Sequence, residues 1–167
     1  MAIKVLIAFA AFAACVSAAA TDEKIVELAS VSKDDAKELE RLLLAGANAN
    51  AKREDGWSAL MIASFAGHNK AAQALLRNGA NADHRDKDGI SCLMYAAYGG
   101  HKKIVEWLIE GGADVLVSVD PGGGHHHASA KILASEQGHT EIVTILERAE
   151  YYAMHPEELE AQKHEEL

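Results

Sequence analysis

Residues 55–87 read DGWSALMIASFAGHNKAAQALLRNGANADHRDK, and residues 88–120 read DGISCLMYAAYGGHKKIVEWLIEGGADVLVSVD. The two stretches share an initial Asp-Gly, a central Gly-His and a later Gly at the same positions, so the sequence repeats every 33 residues. The register continues backwards, since LLLAGAN at 42–48 corresponds to LLRNGAN in the first stretch. It continues forwards after five inserted residues, since SALMIASFAGH of the first stretch corresponds to SAKILASEQGH at 129–139. A period of this length indicates a repeat protein.

Each unit reads as a turn, two short helices and a loop. The Asp-Gly pair suits a tight turn, because glycine adopts positive φ without steric cost. A serine before the first helix can cap it through its hydroxyl, and a glycine after that helix predicts a left-handed C-cap. The serines are Ser58, Ser91 and Ser129, and the glycines are Gly67, Gly100 and Gly138. The second helix carries apolar residues at helical spacing, such as Ile104 and Leu108, so neighbouring hairpins must stack to bury both faces.

These units resemble ankyrin repeats, whose pattern is DGxTPLHxAAxxGHxxIVxxLLxxGADxNx. The resemblance spans roughly residues 22–150 and is carried by the Asp-Gly turn, the Gly-His pair and the Gly-Ala loop. The family's TPLH appears here as SALM at 58–61, SCLM at 91–94 and SAKI at 129–132, so its Pro and His are missing from every copy. The resemblance implies an all-α fold, an ankyrin-repeat solenoid of stacked helix-turn-helix units with β-hairpin-like loops.

The repeat register divides the chain into consecutive segments. They are a signal peptide at 1–20, an N-terminal capping repeat at 22–54, ankyrin repeats at 55–87 and 88–120, a C-terminal repeat with a Gly/His insertion at 121–150, and an acidic tail at 151–167. The first repeat lacks the Asp-Gly turn and reads as a cap with a polar outer face. In the tail, Pro156 and the Glu residues behind it predict a new helical turn within a solvated, charged segment.

The N-terminal residues have the pattern of a secretory signal peptide. A single Lys precedes the apolar run VLIAFAAFAA at 5–14, and small residues and then TDEK follow it. The run is shorter than the roughly 20 residues that span a bilayer, so no membrane span is expected in the mature chain. Cleavage after Ala18 and cleavage after Ala20 both fit. Acylation of Cys15 is a weaker alternative, because Phe12 fits the lipoprotein motif poorly.

The last four residues are His164, Glu165, Glu166 and Leu167. They resemble the KDEL and HDEL retrieval signals of the endoplasmic reticulum, with Glu at the second position. Joined to an N-terminal signal, this sequence predicts retention in the lumen of the endoplasmic reticulum. Export as a secreted or periplasmic protein is the alternative.

Composition and motifs exclude several function classes. The 167 residues carry a formal charge of −9, which argues against a nucleic-acid partner. The sequence has no GxSxG, HExxH or P-loop motif, and its Ser, His and Asp residues lie mostly in repeat register, so we expect neither an enzyme nor a cofactor. Cys92 begins a helix, where a thiol pKa is lowered, but a small packed residue is the favoured interpretation.

The histidines fall into two groups. His68, His101 and His139 follow glycine at one repeat position, which predicts a structural role. His125, His126 and His127 lie in the insertion behind three glycines and are weak candidate metal ligands. Adjacent histidines on a loop alternate in direction, so a solvent-exposed loop without a preformed site is favoured.

The candidate partner-binding residues lie at the hairpin tips and at the ends of the first helices, the positions that vary and face partners in ankyrin repeats. They are Glu54, Trp57, Phe65, Lys87, Ile90, Tyr98, Glu136 and Gln137. The four apolar members either form an exposed row or pack between repeats, and the sequence leaves both open. Trp107 lies on a second helix and is expected in the core.

The residues therefore predict a monomeric, non-enzymatic scaffold or adaptor that binds another protein in the lumen of the secretory pathway. The alternative function is that of an exported accessory protein that binds metal, or protects against oxidation, through the His-rich loop.

Overall fold

The computed structural model describes residues 21–30, 36–120 and 127–158. The helices are α1 (21–30), α2 (Ala36–Leu44), α3 (Ala59–Ala66), α4 (Asn69–Arg77), α5 (Cys92–Tyr98), α6 (Lys102–Glu110), α7 (Ala130–Glu136) and α8 (Thr140–Met154). The expected signal peptide, His125, His126 and the four residues of the retrieval signal lie outside the described residues. None of the helices in the three described ranges has the length and hydropathy needed to cross a bilayer.

The helix caps form as the sequence predicts. The hydroxyl oxygen of a serine accepts a hydrogen bond from the backbone N–H three residues later, and this repeats in three units. The bonds join Ser58 to Met61 at 3.2 Å, Ser91 to Met94 at 3.3 Å and Ser129 to Ile132 at 3.3 Å. The predicted C-cap glycines Gly67, Gly100 and Gly138 have φ of 72°, 74° and 78°, the left-handed conformation.

The hairpins stack into two helical layers. Helices α3, α5 and α7, the first of each pair, pack side by side, and α2, α4, α6 and α8 form the second layer behind them. Equivalent residues of successive repeats make up the core, as shown by Leu75, Leu108 and Leu146, each with no exposed surface. The predicted all-α repeat solenoid is confirmed.

The loops between units are short hairpins in the same register. Isolated antiparallel bridges join Lys52 to Ser58 and Arg85 to Ser91. In the last unit the equivalent contact is a two-stranded sheet, β1 (Ser118–Val119) and β2 (Ala128–Ser129), in which Ser118 pairs with Ser129. In the sequence, the Gly/His insertion falls between these two strands.

The C-terminal end departs from the repeat pattern. Helix α8 runs to Met154, so the boundary expected at residue 150 falls inside this helix, and a further helical turn covers 156–158. Lys131 occupies the position of the buried Leu60 and Leu93, and its ammonium pairs with the Glu150 carboxylate on α8. This ion pair joins α7 to α8 in the last repeat of the described chain.

Candidate protein-binding surface

Three aromatic rings meet where the hairpin of the second repeat contacts the first helices. The ring centroids of Trp57 and Tyr95 lie 4.7 Å apart at an interplanar angle of 43°. The Phe65 ring stands nearly perpendicular to both, at 5.9 Å from Trp57 and 5.7 Å from Tyr95. Edge-to-face pairs of this kind are worth about 0.5–1.5 kcal/mol beyond the area that they bury, so the rings hold one another in place.

The structure divides the predicted row into two kinds of residue. Trp57 and Ile90 are partly buried and pack against the core. Phe65, in the last turn of α3, and Tyr98, the last residue of α5, keep 49% and 44% of their surfaces exposed. Glu136 takes the same position at the end of α7 and is also exposed. The sequence left open whether the four apolar residues pack between repeats or are exposed. Two of them pack and two are exposed.

Tyr95 is the member of this surface that sequence reasoning missed. It occupies the register position of Ile62 and Leu133, which marks it as a packing residue rather than an exposed one. Its phenol donates a hydrogen bond of 2.7 Å to Oδ2 of Asp86. Burial raises the pKa of the Tyr95 phenol well above its usual value, and the Asp86 carboxylate raises it further.

Asp86 links the aromatic rings to the hairpin of the third repeat. Its Oδ1 accepts hydrogen bonds of 2.9 Å from the backbone N–H groups of Asp88 and Ile90. The same carboxylate thus shapes the turn and fixes Tyr95. Hydrogen bonds therefore join the aromatic cluster to this turn.

The other predicted binding residues are polar. Glu54, Lys87, Glu136 and Gln137, the remaining predicted binding residues, are all exposed. Near them, Arg53 and Asp55 form an exposed ion pair of 2.9 Å. Exposed pairs contribute roughly 0–1 kcal/mol, so this ion pair adds little to stability.

The repeated histidines have the predicted structural role. Each ring nitrogen lies near a backbone carbonyl at the end of the preceding repeat's first helix, and since a carbonyl only accepts, the ring N–H donates. The pairs are His68 with Ala29 at 3.0 Å, His101 with Phe65 at 3.2 Å and His139 with Tyr98 at 3.2 Å. Two of these carbonyls belong to the exposed aromatic residues, so the histidines also fix the backbone of the row.

Cys92 and Trp107 are packing residues. Cys92 has no exposed surface, and burial raises the pKa of its thiol to about 12, so the alternative of a reactive thiol with a lowered pKa is wrong. Trp107 is partly buried and packs against the core from α6.

The metal hypothesis rests on residues that lie mostly outside the described ranges. His127 is exposed, and His125 and His126 are not described. Within the described residues, no three His, Cys, Asp or Glu side chains come together as a metal-binding group. Metal binding by the loop stays a prediction, which zinc titration with and without residues 122–127 tests.

Comparison with known families identifies the repeat. The model for "Ankyrin repeats (3 copies)" matches residues 26–119, which is more than half of the chain. No curated protein sequence matches the chain. Ankyrin repeats are protein-interaction modules, and proteins built from them are generally not enzymes. The matched residues include both exposed aromatic side chains and the rings that support them. Because the match covers more than half of the chain, the chain belongs to the ankyrin-repeat family.

Proposed function

We propose that this protein is a non-enzymatic scaffold or adaptor that binds another protein across the hairpin tips and the ends of the first helices. The observation that carries the proposal is the half-exposed pair Phe65 and Tyr98, at one register position of adjacent repeats. Aromatic residues dominate the binding energy of many protein interfaces when a partner buries them.

The supporting contacts favour binding because they restrict the free surface before a partner arrives. Phe65 is held edge-on by Trp57 and Tyr95, and the carbonyls of Phe65 and Tyr98 accept hydrogen bonds from histidines of the next repeat. Ordering a flexible side chain costs about 0.5–1.5 kcal/mol on association. A partner that covers this surface avoids much of that cost.

Photo-crosslinking in cells tests the surface directly, because the reactive group links covalently to whichever protein covers it. A photoreactive phenylalanine placed at Phe65 or Tyr98 should give discrete adducts. The matched control is Tyr151, which is 43% exposed against 44% for Tyr98 but lies on α8 in the other layer. Adducts from Tyr151 alone, or none from the two test positions, would contradict the proposal.

Alanine variants then measure the contribution of each ring to binding of the crosslinked partner. Phe65→Ala and Tyr98→Ala should each weaken binding roughly thirtyfold, since a hot-spot residue contributes about 2 kcal/mol or more. Tyr151→Ala should leave the dissociation constant unchanged within about twofold. Equal losses in the test and control variants would place the interface elsewhere.

The proposed compartment is the lumen of the endoplasmic reticulum. Its support is the apolar N-terminal run followed by small residues, together with the sequence of His164–Leu167. With an internal tag in the inserted loop, the protein should lose its N-terminal residues and remain inside the cell. Deletion of His164–Leu167 should release it to the medium, while deletion of Leu159–Gln162 should not. A cytosolic, unprocessed chain would reject this location and leave the binding surface untouched.

A further inference from the structure

A second concave site lies in the other layer of the stack, between α6 and α8. Its volume is about 380 Å³. We call its apolar lining the floor and its polar lining the rim. The floor consists of Ile109, Ala113, Val115, Ile145, Ala149 and Ala153, and the rim consists of Glu106, Glu110, Arg148 and Tyr152. This size falls at the lower end of cavities that bind ligands, so it accepts a few aliphatic side chains.

The groove exists because α8 is longer than the helix that it resembles. Residues 140–148 correspond in register to α6, which is 9 residues long, whereas α8 has 15 residues. The extension lines the cavity together with Ala113 and Val115 of the preceding loop. Ala149 and Ala153 lie one turn apart on the same helix face, and their methyl groups leave the space open.

The rim has an asymmetric charge. Glu106 and Glu110 are four residues apart on α6, so both carboxylates project from one face of that helix. Arg148 borders the groove from α8. Neither glutamate, nor Arg148, joins an ion pair among the described residues. Two neighbouring carboxylates beside an apolar floor favour a cationic, apolar ligand.

We propose that this groove binds an amphipathic helix of a partner protein that carries aliphatic residues on one face and Lys or Arg at i and i+4 beside them. A helix matches the site because its own i, i+4 spacing sets two bases opposite Glu106 and Glu110. The aliphatic face covers the floor and removes it from water. The net charge of −9 attracts such a segment and repels an acidic one. This site is separate from the surface around Phe65 and Tyr98.

Two synthetic helical peptides, capped at both ends and labelled with fluorescein, test the proposal by fluorescence anisotropy. Both have the same leucine face, and they carry either lysines or glutamates at the flanking i, i+4 positions. The lysine peptide should bind at least about tenfold more tightly, and added salt should reduce the difference. Equal affinity of the two peptides, or no measurable binding of the lysine peptide, would overturn the proposal.

Variants of the chain locate the binding. The double variant Glu106→Gln, Glu110→Gln should weaken binding of the lysine peptide about three- to tenfold, since each exposed ion pair between a glutamate and a peptide lysine contributes about 0.2–1 kcal/mol. The matched control is Glu23→Gln with Glu40→Gln, two exposed glutamates of the first repeat, which should change nothing. Weaker peptide binding by the Glu106/Glu110 variant than by the control variant supports the site. Equal binding by the two variants rejects it.

A second variant fills the groove without touching its charge. Ala153 is exposed on a helix, so Ala153→Leu retains helix propensity, and circular dichroism confirms that the variant is folded. It should weaken binding of the lysine peptide about tenfold or more, because the leucine side chain fills the space that the peptide would occupy. Unchanged affinity would overturn the proposal. Tyr98→Ala should leave peptide binding intact, so failure of this site and failure of the proposed function are distinguishable.

Discussion

At the scale of single residues, the glycines before two of the repeated histidines, Gly67 and Gly100, leave room for a histidine ring of the next repeat. A Cβ added to Gly67 would lie 2.3 Å from Cε1 of His101, and one added to Gly100 would lie 2.6 Å from Cε1 of His139. Gly138 has nearly the same φ, 78°, but none of the described residues comes within 4 Å of its added Cβ. The three positions thus separate backbone strain from the close approach of the ring.

We predict that Gly138→Ala costs about 1–2 kcal/mol of stability, the usual cost of a left-handed L-residue. Gly67→Ala and Gly100→Ala should cost roughly 1–3 kcal/mol more, because the histidine ring must also move and its hydrogen bond to the preceding repeat weakens. Urea denaturation followed by circular dichroism measures all three. Equal losses in the three variants would show that the His ring makes no contribution.

The sequence predicted these glycines and histidines as structural but not their contacts. A period of 33 residues shows that Gly67, Gly100 and Gly138 are equivalent. It does not show that each ring reaches the carbonyl of the preceding unit, because that depends on the rotation between stacked hairpins. The same holds for Cys92, whose position at a helix start was predicted but whose pKa was not. Because the thiol is completely buried, its pKa is raised.

The buried Cys92 thiol predicts how stability depends on pH. The pKa of its thiol is raised from 9.0 to about 12, so the folded chain keeps a proton that the unfolded chain releases. The stabilisation is complete below about pH 9 and is lost as the pH rises from there to about 12, by up to about 1.4 kcal/mol per pH unit.

Cys92→Ala provides the control for this pH dependence, because Ala59 occupies the equivalent position with no exposed surface. The free energy of unfolding of the wild type should fall relative to that of the variant between pH 9 and 12. Taking the difference removes most of the contribution of Tyr95, whose pKa is also raised, because Cys92 is the smallest of the causes of that shift. Parallel curves would contradict the prediction.

At the scale of secondary-structure elements, the serine caps differ in their access to water. Ser58 and Ser91 are only 4% and 2% exposed, whereas Ser129 is partly exposed. Replacement by Ala leaves one backbone N–H without its acceptor. Water can satisfy that group at position 129 but reaches it poorly at the two buried positions.

We therefore predict that Ser58→Ala and Ser91→Ala each cost about 1–2 kcal/mol, and that Ser129→Ala costs about 0.5–1 kcal/mol. Chemical denaturation of the three variants under identical conditions gives the comparison. If Ser129→Ala were the most destabilising of the three, the hydrogen bond would not be the source of the stability.

The elements that follow the repeat were predictable, and those that depart from it were not. Each loop bridge occurs at the serine that the pattern marks as an N-cap. In contrast, the extension of α8 beyond residue 150 has no counterpart in the other units, so the repeat register is silent about it. The groove between α6 and α8 arises from that extension and from Ala149 and Ala153, and no sequence period marks a cavity formed in this way.

At the scale of the whole molecule, the sequence predicted which units are neighbours but not which side chains of the binding row remain exposed. Trp57, Phe65, Ile90 and Tyr98 are all apolar and recur at related positions. Trp57 is partly buried because the ring of Tyr95 in the next repeat lies 4.7 Å from it, and the register marked Tyr95 as a packing residue without showing this contact. Exposure depends on contacts between repeats, whereas the period describes each repeat alone.

In a stack of repeats each unit contacts only its neighbours, so a unit at an end is stabilised by one neighbour and a central unit by two. This difference predicts how the chain unfolds. Leu93 in the third repeat and Leu146 in the last repeat are both buried, at 1% and 0% exposure, so replacement by Ala should cost about 2–5 kcal/mol at either site. Leu93→Ala weakens a unit with neighbours on both sides, and the stack should still unfold in one transition. Leu146→Ala weakens a unit with one neighbour in the described chain, which should therefore unfold first.

Two probes separate these outcomes. In a Trp107→Phe background, fluorescence reports only on Trp57 in the second repeat, while far-ultraviolet circular dichroism reports on all helices. For Leu93→Ala the two urea transitions should coincide at a lower midpoint. For Leu146→Ala helicity should be lost before the Trp57 signal changes, because α7 and α8 melt while the units around Trp57 remain stacked. Coincident transitions in Leu146→Ala would instead mean that the four hairpins unfold as one cooperative unit, with the Lys131–Glu150 pair and the long α8 coupling the last repeat to the rest.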